Sequence, residues 1–166
     1  MDLHLETRVG ALLRQRGLTL AASESCTGGL VGHRITNIPG SSDYYLGSIT
    51  AYAYEAKARL LGVKWDTLNT HGAVSDEVVI EMAEGLRKTL DASVGISISG
   101  IAGPGSGTPE KPVGLVYFGL STSQKSISTH QIFTGDRLAV KQQAADFILS
   151  WLLEELQEER NKKTPL

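Results

Sequence analysis

Leu5, Val9, Leu12 and Leu13 recur at helical spacing along residues 5–16, and the stretch ends at Gly17. Apolar side chains three and four apart line one stripe of a helix, so the segment predicts an amphipathic helix with glycine as its stop. Residues 18–23 (LTLAAS) break that period and are short, apolar and uncharged, the pattern of a buried strand. A helical pattern then opens at Cys26-Thr27-Gly28-Gly29, runs to about Asn37 and closes before Pro39-Gly40. A second strand is predicted over 47–53 and a helix over 54–61, with Gly62 as its stop. Ser75-Asp76-Glu77 reads as an N-cap with two acids in the first turn. The helix it begins has Val79, Met82, Ala83, Leu86 and Leu90 on one face. Residues 92–99 predict a third strand. Beyond a Gly- and Pro-rich stretch, 100–112, strands over 113–121 and 126–133 form a hairpin across Thr122-Ser123-Gln124-Lys125. From about Asp136, Val140, Ala144, Phe147, Ile148, Trp151, Leu152 and Leu156 trace the apolar stripe of a last helix. The mostly polar residues 157–166 are expected to fray.

Helix and strand patterns alternate early and a hairpin follows late. The expected fold class is α/β: a three-layer α/β/α sandwich with a mixed, mostly parallel sheet, in one domain over 1–166. Composition narrows the function. Sixteen Lys+Arg against eighteen Asp+Glu leave a charge of −2, unlike the basic domain of an electrostatic nucleic-acid binder, so no nucleic-acid partner is expected. With 41% apolar residues, the chain has enough for a core and is not disordered. No apolar run approaches the ~20 residues of a membrane span, and the polar, acidic start is unlike a signal peptide. A cytoplasmic protein without a membrane partner is expected. The single cysteine, Cys26, excludes an internal disulfide and a multi-cysteine zinc site. His33 and His71 have no second ligand at metal spacing and read as structural, so no metal is expected.

In an alternating α/β chain, ligands bind beyond the carboxyl ends of the strands. Three loops follow. The first, Glu24-Ser25-Cys26-Thr27-Gly28-Gly29, places small residues at a helix start, where free N–H groups favour a phosphate or an oxyanion. It lacks the lysine of a Walker loop and the spacing of a Rossmann fingerprint. The second carries Tyr52 and Lys57. A lysine at a helix start is ordinarily a solvated charge, and its alternative role as general base requires burial to make it neutral. Tyr52 is placed to hydrogen-bond Lys57 or Ser25, or to be a plain strand aromatic. The third, Gly100–Pro112, is long for a compact domain, and Ser99, Gly100 and Gly103 offer close backbone approach to a ligand. Arg137, opening the last helix, suits a phosphate or carboxylate, or a surface acid. Two serines compete as nucleophile. Ser25 ends strand one at the edge of Lys57, whereas Ser42 precedes strand two and lies at the opposite edge if the two strands are parallel. A helix start would lower the thiol pKa of Cys26, yet no histidine is placed to serve it.

Seven segments together resemble the CinA C-terminal domain family: Glu24-Ser25-Cys26-Thr27-Gly28-Gly29-Leu30, Ile38-Pro39-Gly40-Ser41-Ser42, Glu55-Ala56-Lys57, Leu61-Gly62-Val63, His71-Gly72-Ala73-Val74-Ser75, Ser99-Gly100-Ile101-Ala102-Gly103-Pro104 and Glu110-Lys111-Pro112-Val113-Gly114. They cover nearly the whole chain in the family's order. The resemblance implies the α/β/α fold and an amidohydrolase that turns nicotinamide mononucleotide into nicotinate mononucleotide and ammonia. It further implies a Ser/Lys mechanism in pyridine-nucleotide salvage, without metal or cofactor, on a small-molecule nucleotide substrate. The family also implies an alternative, a non-catalytic nucleotide- or partner-binding member linked to competence and DNA damage. In many bacteria the domain is fused behind a molybdopterin-binding-like domain; the stand-alone form is the expectation here. The sheet edge and last helix could support a homo-oligomer. One departure stands out: where the family reads Tyr-Ser-Asn-Glu-x-Lys, this chain has Tyr52-Ala53-Tyr54-Glu55-Ala56-Lys57.

Overall fold

The computed structural model describes residues 5–162. Its helices are α1 (Leu5–Arg16), α2 (Leu30–Thr36), α3 (Tyr54–Leu61), α4 (Trp65–His71), α5 (Asp76–Thr89) and α6 (Arg137–Lys162). Its strands are β1 (Leu20–Glu24), β2 (Tyr45–Thr50), β3 (Val94–Gly100), β4 (Leu115–Ser121) and β5 (Ser126–Ile132). They form one sheet in the order β2-β1-β3-β4-β5. β1 pairs parallel with β2 and β3, whereas β3–β4 and β4–β5 are antiparallel. The sheet is mixed, with only β4 running against the rest.

Alternation along the strands makes the two layers. Leu20 and Ala22 of β1, Val94, Ile96 and Ile98 of β3, and Val116, Phe118 and Leu120 of β4 pack against α1, α2 and α6. The opposite face meets α3, α4 and α5 through Ala21, Leu61, Leu68, Val78, Met82 and Leu86. On that face β3 and β4 present small residues, and α5 closes down on them. A Cβ on Gly95 would lie 2.4 Å from the Ala83 carbonyl, and one on Gly119 would lie 2.3 Å from that of Val79. Ser97, between them in the sheet, donates its hydroxyl proton to Val79 O.

Three expectations are corrected. The second helix begins at Leu30 rather than at Cys26, because Gly28 (φ 65°) and Gly29 (φ 95°) adopt a left-handed conformation that a right-handed helix excludes. α4 was not anticipated. It is seven residues long and buries a single apolar side chain, Leu68, too little for a periodic signal. Finally, α6 continues to Lys162 instead of fraying from 157. Its Gln, Glu, Arg and Lys residues there are good helix formers. Residues 163–166 of the expected tail lie outside the described residues.

Direction decides where a site can form. β1, β2 and β3 are adjacent and parallel, so the chain leaves all three at one edge. β5 points the same way, and α6 therefore also starts at that edge.

Candidate active site

Glu24 is the last residue of β1 and fully buried. Its carboxylate accepts hydrogen bonds from the amides of Gly29 (3.0 Å), Val31 (3.1 Å) and Gly32 (2.9 Å). The start of α2, expected to receive a ligand anion, is thus filled by the protein's own carboxylate. Glu24, Thr27, Gly28 and Gly29 shape the turn and line no wall of the cavity below. Ser25, by contrast, is anchored by its amide on Ile98 O (2.9 Å) and faces that cavity.

Lys57 comes to Ser25 from α3, one turn in from the helix start. Its side chain is fully buried, at 0% exposure. The Nζ atom lies 2.9 Å from Ser25 Oγ, 2.8 Å from Ala51 O and 2.9 Å from Tyr52 O. No carboxylate pairs with it among the described residues. Burial pulls the amine down from 10.5 to about 8, against a smaller upward pull from Cys26. Protonated, Lys57 donates to all three oxygens; on losing a proton it can keep the two carbonyls and turn its lone pair to the Ser25 hydroxyl.

A cavity of about 210 Å³ opens over this pair. Ser99, Gly100 and Gly103 from the third loop line it, with Ala73 and Val74 from the turn between α4 and α5 and Arg137 from α6. The third loop is held rather than free. Gly114 N donates to Ile101 O at its base, and the Lys111 ammonium donates to His71 O. Arg137 donates to Gly103 O (2.7 Å) and to the Tyr52 hydroxyl (3.0 Å), joining α6 to the second and third loops.

Several expected roles change. The Tyr52 side chain is 62% exposed and its hydroxyl meets Arg137, so its main-chain carbonyl, not its phenol, holds Lys57. Ser42 is exposed in the single 3-10 turn before β2, at the edge opposite Lys57. The Cys26 thiol is pushed up to about 11, because burial outweighs the backbone hydrogen bond and the neighbouring lysines. Neither departure at Ala53 and Tyr54 touches the amine. Ala53 is the N-cap of α3, and the Tyr54 hydroxyl accepts from Ala73 N.

Two features were not anticipated. One is the pair of main-chain carbonyls around Lys57, which sequence alone does not signal. The other is Lys141, whose Nζ lies 3.7 Å from where a Cβ would stand on Gly28. Its spacing of four from Arg137 would have flagged it.

Comparison with known proteins gives a consistent answer. A family model described as the CinA C-terminal domain matches residues 2–156. A CinA-like protein of Salinibacter ruber is 49% identical over 141 residues, 85% of this chain and 34% of that protein. A CinA-like protein of Kosmotoga olearia is 49% identical over 148 residues, 89% of this chain and 36% of that protein. The chain thus spans about a third of the length of the curated relatives it matches. Among solved structures, a competence-damaged protein (CinA) superfamily member from Klebsiella pneumoniae superposes with a TM-score of 0.90 at 36% identity, covering 93% of this chain and 96% of that one. A competence/damage-inducible protein from Agrobacterium tumefaciens gives a TM-score of 0.89 at 32% identity, covering 95% and 99%.

Proposed function

The chain belongs to the CinA C-terminal domain family, and from that membership and its buried Ser–Lys pair we propose that it is a serine amidohydrolase acting on nicotinamide mononucleotide. The observation that carries the reading is Lys57 Nζ held on Ala51 O and Tyr52 O with Ser25 Oγ at 2.9 Å. A lysine confined this way, with no carboxylate beside it, has no evident structural task that an apolar residue would not do at less cost.

Ser25 donates its proton to the Lys57 lone pair as its oxygen attacks the carboxamide carbon. The pyridinium ring withdraws electrons from that carbon and makes the amide unusually electrophilic. The oxyanion forms beside Cys26, whose amide donates to no oxygen among the described residues and directly follows the nucleophile. Lys57 then returns the proton to the departing nitrogen, ammonia leaves, and an ester to Ser25 remains. Water, deprotonated by Lys57, adds to the ester carbon, and Lys57 passes that proton to Ser25 Oγ as the C–Oγ bond breaks, releasing nicotinate mononucleotide and restoring the pair. One water is consumed for each amide converted to carboxylate and ammonia.

The test is ammonia release from nicotinamide mononucleotide by Ser25→Ala, Lys57→Met and Ser42→Ala. The first two should lose at least three orders of magnitude in kcat/KM. Ser42→Ala should stay within about twofold, since Ser42 touches nothing at this edge. Activity surviving in Ser25→Ala would overturn the assignment of the nucleophile. Binding of the mononucleotide without turnover by the unaltered chain would favour a non-catalytic binding module.

A further inference from the structure

We propose that Tyr54 is a positioning residue that fixes one wall of the cavity, the Ala73–Val74 turn, against the substrate; the proposal deepens the amidase reading and rests on it. Ala73 and Val74 line the cavity from the connection between α4 and α5. The Ala73 amide donates to the Tyr54 hydroxyl at 3.1 Å and to no other acceptor among the described residues. Tyr54 is the first residue of α3, three before Lys57, so this bond sets the wall's place relative to the helix that carries the amine. The phenol is 37% exposed and has water within reach, yet its oxygen is turned onto the turn. An asparagine, which the family pattern has at this position, ends well short of where a phenol oxygen lies. The tie therefore belongs to this chain's own sequence.

A second tie holds the same turn from the other side. Lys111 Nζ donates to His71 O at 2.6 Å, joining the turn to the third loop. A Cβ on Gly72 would stand 3.4 Å from that ammonium and 3.7 Å from the Tyr54 hydroxyl, so both groups lie over one glycine. With Arg137 bridging the third loop and Tyr52, the ties close a circuit round the cavity: α3 to the turn, the turn to the third loop, the third loop back to the segment before α3. None of this touches the reacting pair. Lys57 is held by Ser25 Oγ and two main-chain carbonyls, and those contacts do not use the Tyr54 hydroxyl. Removing that hydroxyl should loosen the grip on substrate and leave the proton transfer as it is.

The experiment uses the full chain, unaltered and as Tyr54→Phe, Lys111→Met and the double variant. One arm measures kcat and KM for nicotinamide mononucleotide across pH. Tyr54→Phe should raise KM about fivefold, the factor that one neutral hydrogen bond represents, with kcat within about twofold and the pH midpoint unmoved. The rise in KM for the double variant should exceed the product of the single rises, because each tie covers for the other. The other arm follows amide hydrogen exchange. The Ala73 amide should exchange about fivefold faster in Tyr54→Phe while the amides of α5 keep their rates. An unchanged KM, a loss carried by kcat, a shifted pH midpoint, or faster exchange spread through α5 would each overturn the proposal. If the unaltered chain releases no ammonia, the amidase reading fails and the exchange arm decides alone. Faster exchange confined to the turn then upholds Tyr54 as the post of that wall, and equal rates refute it.

Discussion

Replacing Lys57 with methionine turns a buried amine into a probe of its own protonation. The amine is lowered from 10.5 to about 8 by burial, so the native state sheds its proton well before the unfolded chain does. Between those two values the unfolded state binds more protons, and stability must rise with pH. At pH 7 both states carry the proton; at pH 10 the native state has lost it and the unfolded state has mostly kept it. The stability of the wild-type chain relative to Lys57→Met should therefore increase by about 2.5 kcal/mol between those pH values, at about 1.4 kcal/mol per pKa unit. The absolute difference at pH 7 is less telling, because methionine also leaves Ala51 O and Tyr52 O without a donor. The pH dependence removes that constant. Urea unfolding of both proteins at pH 7 and pH 10 measures it, and with a slope of about 2 kcal/mol per molar the midpoints should diverge by roughly 1 M. A gap that stays flat with pH would refute the buried, easily neutralised amine, and with it the general base. In the active protein the same titration should make kcat/KM rise with pH below about 8 and level off above it.

Glu24→Gln keeps the shape of the side chain but presents an amide N–H₂ where an amide donor now points, so it should cost about 1–3 kcal/mol in unfolding free energy and lower activity. Unchanged stability would show that the carboxylate does not organise the turn. Ala53→Ser installs a side-chain cap at a helix start that has none, and should raise stability by about 1 kcal/mol, a few degrees in melting temperature. No shift would mean that the introduced hydroxyl fails to reach the first amides of α3.

Much of the fold was legible because its punctuation is chemical. Gly17 and Gly62 end α1 and α3 as their composition demands, and Ser75 caps α5 by accepting from Val78 N. The β4–β5 hairpin follows from two apolar runs flanking a short polar turn. Ser25, Lys57, Ser99, Gly100 and Gly103, expected from strand-end loops, and Arg137, expected at the start of the last helix, line one cavity. That reading depended on β1 and β2 being parallel, which local pattern does not encode. Lys57 illustrates the limit. Its burial arises from how α3 packs on α5 and brings the amine to Ser25 and the carbonyls of Ala51 and Tyr52, so no neighbouring residue announces it. Glu24, expected to meet a ligand, shows a related limit: its carboxylate binds the amides of Gly29, Val31 and Gly32. A carboxylate at a strand end points to ligand or to protein according to the pleat, and here the pleat sends it toward α2.

The carboxylate seated at the head of α2 has a further consequence. A turn whose donors are satisfied internally keeps its shape whether the cavity is full or empty. In the proposed amidase, an arriving substrate does not have to organise the segment that carries the attacking oxygen, so its grip can go to alignment instead. Under that proposal chemistry and recognition sit on separate stretches of chain, Ser25 and Lys57 after β1 and in α3, Arg137 at the start of the last helix. In the proposed amidase, changes to the last helix would retune which amides are accepted while Ser25 and Lys57 stay as they are.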